Sequence, residues 1–417
     1  MNRKKLMILI LSFMSLSSIP IANSYLVPVQ IITMMFIINW WVKNRKVYPK
    51  RFFVVHLYLL WATLGIFRGL LVASNYTEYR QLVYGSLCTI LPLIIWLFYD
   101  PLIVRKLYRL FIFPIIPVGL FFASQLFETG SEIIGWSFTF LFPLSLLIVL
   151  LPHYKKKWQF LIIVITSVLV IYNLLGDNKF ICVAYAFALL IGICSKLRFF
   201  DDSNMIRYLC YSCYAFSIFI FSFVLVDIGN VYIKNESKDA ILYKNYISQS
   251  KIEDTRSLIY IDVINSAIDN KYVLFGHTPA RGNTIDVSEI LFLYAYEGGM
   301  NDISFNHGER FSNEAAFLNI FTWLGLVGLI LYSIIYFRAS YLALVKSNNK
   351  YIKLFGCMVG GYWSLSFIGA INNVDLINFG IWSFIGVCYS DKFRQMSNQE
   401  FNNWVKSFFN KKYHYEK

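Results

Sequence analysis

The stretch YIKNESKDA (residues 232–240) opens a polar excursion that closes at NHGERFS (residues 306–312), and apolar runs flank it on both sides. Each flanking run reaches the length of about twenty residues that a helix needs to cross the hydrocarbon core of a bilayer. Lipid tolerates irregular backbone only where it is buried in protein or lines a cavity. A long polar segment between spans is therefore an aqueous working part, and the chemistry is sought there.

Working outward, hydrophobic residues make up 57% of the chain and charged residues 15%, with a mean hydropathy of +0.54. That leaves too little polar surface for a soluble fold, so the expectation is an all-α, polytopic membrane helix bundle. Hydropathy places twelve spans at residues 6–22, 26–42, 52–73, 82–98, 107–126, 133–151, 160–175, 180–194, 208–231, 315–337, 354–371 and 374–389. Residues 1–231 would carry nine of them, 232–312 the loop, 313–390 the last three, and 391–417 a tail. Pro92, Pro114, Pro117 and Pro143 fall inside these spans and predict kinks, because neighbouring helices can take up the freed carbonyls. Arg3, Lys4 and Lys5 before the first apolar run resemble the start of a signal peptide, but a second spanning run follows at once, so the expectation is an uncleaved span.

Lys and Arg in short connections mark the cytoplasmic side. Alternate connections carry them: Lys43, Arg45, Lys46, Lys50 and Arg51; Arg105, Lys106 and Arg109; Lys155, Lys156 and Lys157; Lys196, Arg198 and Arg207; Arg338, Lys346, Lys350 and Lys353; then Lys392, Arg394, Lys411 and Lys412. Both termini are thus expected in the cytoplasm and residues 232–312 outside it. The net charge of +14 is a topology signal spread over many connections, with no basic stripe to suggest a nucleic-acid partner.

The seven cysteines all fall in expected spans and none in the loop, so no disulfide framework is expected. Cys210 and Cys213 have CxxC spacing but sit in an apolar helix without histidines, where packing explains them. No internal repeat relates the two halves, as inverted-repeat transporters often show.

Within the loop, Asp254-Thr255-Arg256 precedes Leu258, Ile259, Ile261, Val263, Ile264, Ala267 and Ile268, the spacing of an amphipathic helix ending at Asp269-Asn270. Tyr272-Val273-Leu274-Phe275-Gly276-His277-Thr278-Pro279-Ala280-Arg281-Gly282-Asn283 follows, an apolar run broken by glycine and proline that predicts a turn presenting His277 and Arg281. A second short helix is expected over residues 287–296.

An arginine opening an amphipathic helix, a Phe-Gly-His turn followed by Thr-Pro, and the entry Asn313-Glu314-Ala315-Ala316-Phe317-Leu318-Asn319 with Trp323-Leu324-Gly325-Leu326-Val327-Gly328 beyond it resemble the O-antigen polymerase and O-antigen ligase superfamily. The likeness covers topology along the chain, and residues only over 256–328. One departure is Gly176-Asp177-Asn178-Lys179, where such proteins often carry Ser-Arg; lysine keeps the charge but loses the bidentate fork. The resemblance implies glycosyl transfer at the outer face of the bacterial inner membrane. A polyprenyl-diphosphate-linked glycan is the donor and a lipid-linked repeat unit supplies the attacking hydroxyl, with a flippase and a chain-length regulator as pathway partners.

That chemistry selects residue types. A leaving diphosphate needs positive charge, which arginine supplies in bidentate form. Arg256, Arg281, Lys179 and Arg68 are the expected diphosphate ligands, with Arg80 a further outer-face cation. Glu314, His277 and Arg310 are the expected catalytic residues; His307 and Asp262 are alternative bases for the acceptor proton. No cofactor or metal is required, since the loop has two histidines, no cysteine and no DxD-like pair. Each residue also has a structural reading. Arg256 can pair with Asp254 or Glu253, Arg310 with Glu314 four residues on, Lys179 can snorkel beside Asp177, and His277 and Arg281 can belong to an ordinary surface turn. Two rival functions stay open: a ligase with the same donor chemistry, and a flippase for lipid-linked sugars.

Overall fold

The computed structural model of the chain describes residues 26–44, 52–112, 132–175, 179–196, 203–235, 256–284, 305–306, 308–369 and 373–408. Helices dominate them. In chain order they are α1 (Leu26–Asn44), α2 (Phe53–Val72), α3 (Tyr76–Thr89), α4 (Pro101–Ile112), α5 (Glu132–Val149), α6 (Lys156–Leu175), α7 (Lys179–Cys194), α8 (Ser203–Asn235), α9 (Arg256–Asp269), α10 (Ala316–Val345), α11 (Lys350–Leu365), α12 (Leu376–Tyr389), α13 (Asp391–Arg394) and α14 (Asn398–Lys406). Three two-residue strands, β1 (Asn283–Thr284), β2 (Phe305–Asn306) and β3 (Glu309–Arg310), form a small antiparallel sheet in the order β1-β3-β2. No alternation in the sequence signals that sheet.

Four helical stretches among the described residues are long and apolar enough to cross a membrane: Phe53–Val72, Tyr76–Tyr99, Lys156–Leu175 and Ala316–Val345. The count of twelve spans expected from hydropathy is thus not confirmed among the described residues. Lys179–Cys194 and Leu376–Tyr389 are apolar but shorter, and the expected span at 6–22 lies outside the described residues. The outward faces support immersion in lipid. On α2 the exposed side chains Phe53, Leu57, Leu60, Leu64, Phe67 and Leu71 recur every three or four residues along one stripe, an arrangement that water would penalise.

Pro92 does more than kink its span. It lacks an N–H, so α3 ends and the chain continues as a 3-10 helix, Leu91–Tyr99, buried throughout against α12. Pro143 is accommodated inside α5; Pro114 and Pro117 lie outside the described residues. Elsewhere small residues let helices close up, as where Gly356 of α11 meets Ala343 and Ser340 of α10, and Gly360 meets Cys210 and Tyr214 of α8.

Helix α14 packs back against the start of α4. Ser397 caps α14 in a reciprocal box with Glu400, and Trp404 donates to the Pro101 carbonyl at 3.0 Å. His153 packs there against the rings of Tyr351 and Phe401. Its Nδ1 lies 2.8 Å from Asn402 Oδ1, while Nε2 is buried without a partner. Burial above all, then Lys406 and Lys350, lowers its pKa to about 4, against the favourable Asn402 contact. The folded protein thus prefers neutral His153, a contribution present above the ordinary histidine pKa and lost as pH falls through about 4. Thermal unfolding in detergent is expected to soften between pH 7.5 and pH 4.5, with His153→Asn flattening part of that dependence.

Candidate functional site

The site grows from the end of α9. That helix closes with Lys271 in a left-handed conformation, φ 57°, and Tyr272 N–H reaching the Ala267 carbonyl at 3.0 Å. Tyr272 then bonds Ser266 through its hydroxyl at 2.7 Å and stacks on the His277 ring, with centroids 4.8 Å apart and planes 5° from parallel. Burial, only partly offset by the Ser266 hydrogen bond, pushes the Tyr272 hydroxyl up to about 12, so it is neutral at any physiological pH.

The next residues enter a break in α10. Gly325 interrupts that helix with φ 70° and ψ −173°. At about 1.5 Å rise per residue this is roughly 14 Å along the helix from Ala316. Backbone groups freed by the break are met by the turn: Leu326 N–H donates to Val273 O at 2.8 Å, Val327 N–H to Leu274 O at 3.4 Å, and His277 N–H to Thr322 O at 2.7 Å. Trp61 of α2 closes the remaining gap, its Nε1 donating to Leu324 O at 2.8 Å while its ring stacks on Phe275. Non-helical backbone inside a helix bundle is stable only when satisfied in this way.

Small residues admit the turn. A Cβ on Gly276 would lie 2.5 Å from the backbone nitrogens of Leu324 and Gly325. Gly69 of α2 faces Thr278 and Ala280, and Gly85 of α3 faces Pro279. Arg68 of α2 completes the clamp, donating from Nη1 to Phe275 O at 2.9 Å and from Nη2 to Gly276 O at 3.1 Å. Its guanidinium therefore serves the turn, where the sequence suggested a diphosphate ligand.

Beyond the clamp the chain emerges into the charged cluster. Arg281 is bidentate on Glu309, Nε to Oε2 at 2.8 Å and Nη2 to Oε1 at 2.5 Å, and Gly282 N–H adds a third bond to Oε2 at 3.1 Å. These bonds raise the Arg281 pKa despite partial burial, and Glu78 of α3 adds to the effect. His277 Nδ1 lies 2.8 Å from the Gly282 carbonyl. Since a carbonyl only accepts, Nδ1 carries the proton and a neutral ring presents Nε2 as its acceptor. Gly282 in turn rests on the Arg310 backbone, which pairs with Asn283 and Phe305 across the small sheet.

Arg310 and Glu314 form a looser pair. Nη2 and Oε1 are 3.9 Å apart; the arginine side chain is 5% exposed and the carboxylate 39%. Arg310 Nε also donates to Ser312 O at 3.2 Å. A short asparagine network fixes the entry to α10: Asn313 N–H donates to Asn319 Oδ1 at 2.6 Å, Asn319 Nδ2 to Asn313 O at 2.9 Å, and Asn313 Nδ2 to Asn283 Oδ1 at 3.1 Å.

Of the residues expected from sequence, His277, Arg281, Arg310 and Glu314 thus come together, and Arg68 joins them through the turn. Lys179 stands exposed at the start of α7. The neighbouring Phe180 packs at Gly369, whose carbonyl accepts from Ala316 N–H, so Lys179 belongs to the same end of the bundle. Arg256 begins α9, with its side chain outside the described residues, as is all of His307. Asp262 is buried on α9 and Arg80 is exposed on α3. Sequence reasoning missed Glu309 and Glu78. Glu309 was visible beside Arg310, but only the sheet register brings it to Arg281. Comparison with protein-family models, with curated proteins and with solved structures gives no match.

Proposed function

We propose that this chain is a glycosyltransferase of bacterial surface polysaccharide, an O-antigen-type polymerase working at the outer face of the inner membrane. The observation that carries the reading is the Arg310–Glu314 pair, a buried guanidinium beside a half-exposed carboxylate where a loop meets a membrane helix. At 3.9 Å this pair is loose enough for an anion to compete for the guanidinium. The lipid-linked diphosphate is such an anion and also brings the greater charge. In the reaction the acceptor hydroxyl oxygen bonds to the anomeric carbon of the donor, the bond to the diphosphate breaks, and polyprenyl diphosphate leaves with the electron pair. Arg310 stabilises the charge that develops there. The hydroxyl proton passes to Glu314, with His277 Nε2, on the turn docked into α10, as the alternative acceptor. Arg281 and Arg68 act one step back, holding the turn in register. The polyprenyl tails lie between helices on the lipid side.

Purified protein supplied with lipid-linked repeat units in detergent, without any membrane gradient, is expected to lengthen them. Arg310→Ala and Glu314→Gln are each expected to cut that rate by about a hundredfold or more, with immunoblots confirming membrane abundance. Unchanged glycan ladders for both variants would defeat the assignment. A cell lacking the protein should carry single repeat units on its surface lipid; a complete absence of units would point to a ligase.

A further inference from the structure

A second polar constellation lies beside the charged cluster and plays no part in the mechanism above. Tyr84 of α3 donates through its hydroxyl to Asn373 Oδ1 at 2.9 Å. The Asn373 carbonyl accepts from Asp375 N–H at 3.0 Å. Asp375 Oδ1 accepts from both the backbone N–H and the Nδ2 of Asn378, at 2.8 and 2.9 Å. Asn378 is 1% exposed, and its Oδ1 has no hydrogen-bond partner. The Asp375 carboxylate also accepts from the Ile377 backbone N–H. Tyr84, Asn373 and Asp375 nevertheless keep part of their surface accessible among buried neighbours.

We propose that Tyr84, Asn373, Asp375 and Asn378 form a subsite that binds the hydroxyl groups of a sugar. The constellation is unbalanced in one direction. Asn378 Oδ1 is buried without a partner, and a buried acceptor left unmet is costly. What completes it is a ligand rich in neutral donors, and a pyranose offers several hydroxyls at short spacing. The surroundings suit one, since the rings of Tyr84 and Phe311, 6.2 Å apart, give apolar surface beside the acceptors. Position links the subsite to the reaction. Phe311 directly follows Arg310, and the Gly369–Ala316 hydrogen bond ties the connection between α11 and α12 to the start of α10. The identity of the sugar, the acceptor repeat unit, rests on the polymerase reading; the subsite itself rests on its own geometry.

Asp375 also caps α12, and a plain cap is the structural rival. Asparagine caps helices about as well as aspartate, so Asp375→Asn separates the two roles. In the full-length protein with lipid-linked repeat units extracted from the producing strain, Asp375→Asn is expected to raise KM for single repeat units by about ten- to a hundredfold, the effect of weakening a charged hydrogen bond. The turnover number and the melting temperature should stay near the parent values. A mere cap predicts parent KM, and that result overturns the proposal. A second measurement needs no turnover: Asn373→Cys should react with a water-borne methanethiosulfonate reagent, and the repeat units should slow it. Asn373→Cys that stays unmodified while the exposed control Asp269→Cys reacts, or that is protected by sodium chloride over choline chloride and not by repeat units, would also overturn it. Protection of Asn373→Cys by repeat units, together with a parent protein that never lengthens them, would refute the polymerase and leave the subsite standing.

Discussion

Gly325→Ala is expected to remove the folded protein from the membrane. Gly325 has φ 70°, a region that costs an L-residue about 1–3 kcal/mol when imposed by its surroundings. The added methyl would also collide with the Leu274 carbonyl and Gly276 nitrogen of the docked turn. Neither neighbour can retreat. Leu274 O is held by Val327 N–H, and Gly276 is held by its own bond to Tyr272 O at 2.8 Å and by Arg68 on its carbonyl. If the turn is expelled, the Leu326 and Val327 N–H groups and the Thr322 carbonyl lose their partners inside the bundle, each at about 1–3 kcal/mol. The sum rivals the whole stability of an ordinary domain. Size-exclusion profiles and membrane yield measure the outcome. A well-folded Gly325→Ala protein with parent melting temperature would show that the break in α10 is not a fixed feature. Gly328→Ala, three residues on and without a positive φ, is the control for a crowded but conventional helical position, where the methyl meets the Leu324 side chain.

The second large effect is expected at Glu309. Its side chain is 8% exposed and takes three hydrogen bonds, two from Arg281 and one from Gly282. Glu309→Ala leaves the Arg281 guanidinium half-buried without its partner, for which about 3 kcal/mol is a reasonable scale. It also frees the Gly282 N–H, and with it the carbonyl on which His277 Nδ1 is oriented. Stability and polymerisation should therefore fall together. Glu309→Gln should be intermediate, retaining one acceptor oxygen but no charge. The informative variant is the double replacement Arg281→Met with Glu309→Met. It removes both charges at once and should recover most of the melting temperature. Recovered stability without recovered elongation would assign the pair to holding the turn for chemistry. Full recovery of both would make the pair dispensable and weaken the proposed site. Loss of stability in the double variant equal to that of Glu309→Ala would show that the hydrogen bonds, and not the buried charge, dominate.

The candidate site was legible in the sequence to different depths. Arg310 and Glu314, four residues apart, could be read as an intrahelical pair, but Arg310 lies in β3 and Glu314 precedes α10, so their 3.9 Å contact comes from the non-helical entry to that helix. The helix from Arg256 to Asp269 followed from its apolar spacing, and its limits agree. His277 and Arg281 could be assigned to a turn through Gly276 and Pro279, but what that turn is for could not. Arg68 shows why. In sequence it is a lone cation in an apolar span, which suggests a ligand; in the fold it binds carbonyls more than two hundred residues away. Glu309 is the complementary case, an unremarked acid whose role depends on strand register. Asp375 falls just inside the span expected over 374–389, and only its neighbours from α3 and α12 give it a polar setting.

Composition and hydropathy by themselves determined that this chain is a helical membrane protein with its charged residues concentrated between spans, because burial of apolar surface and the satisfaction of backbone groups in lipid depend on local sequence alone. The tertiary structure alone decided that the turn after α9 is threaded into a broken helix, and which cations are already engaged. Those outcomes depend on hydrogen bonds and ion pairs between residues far apart in the chain, and on glycines whose missing side chains leave room that no local pattern records.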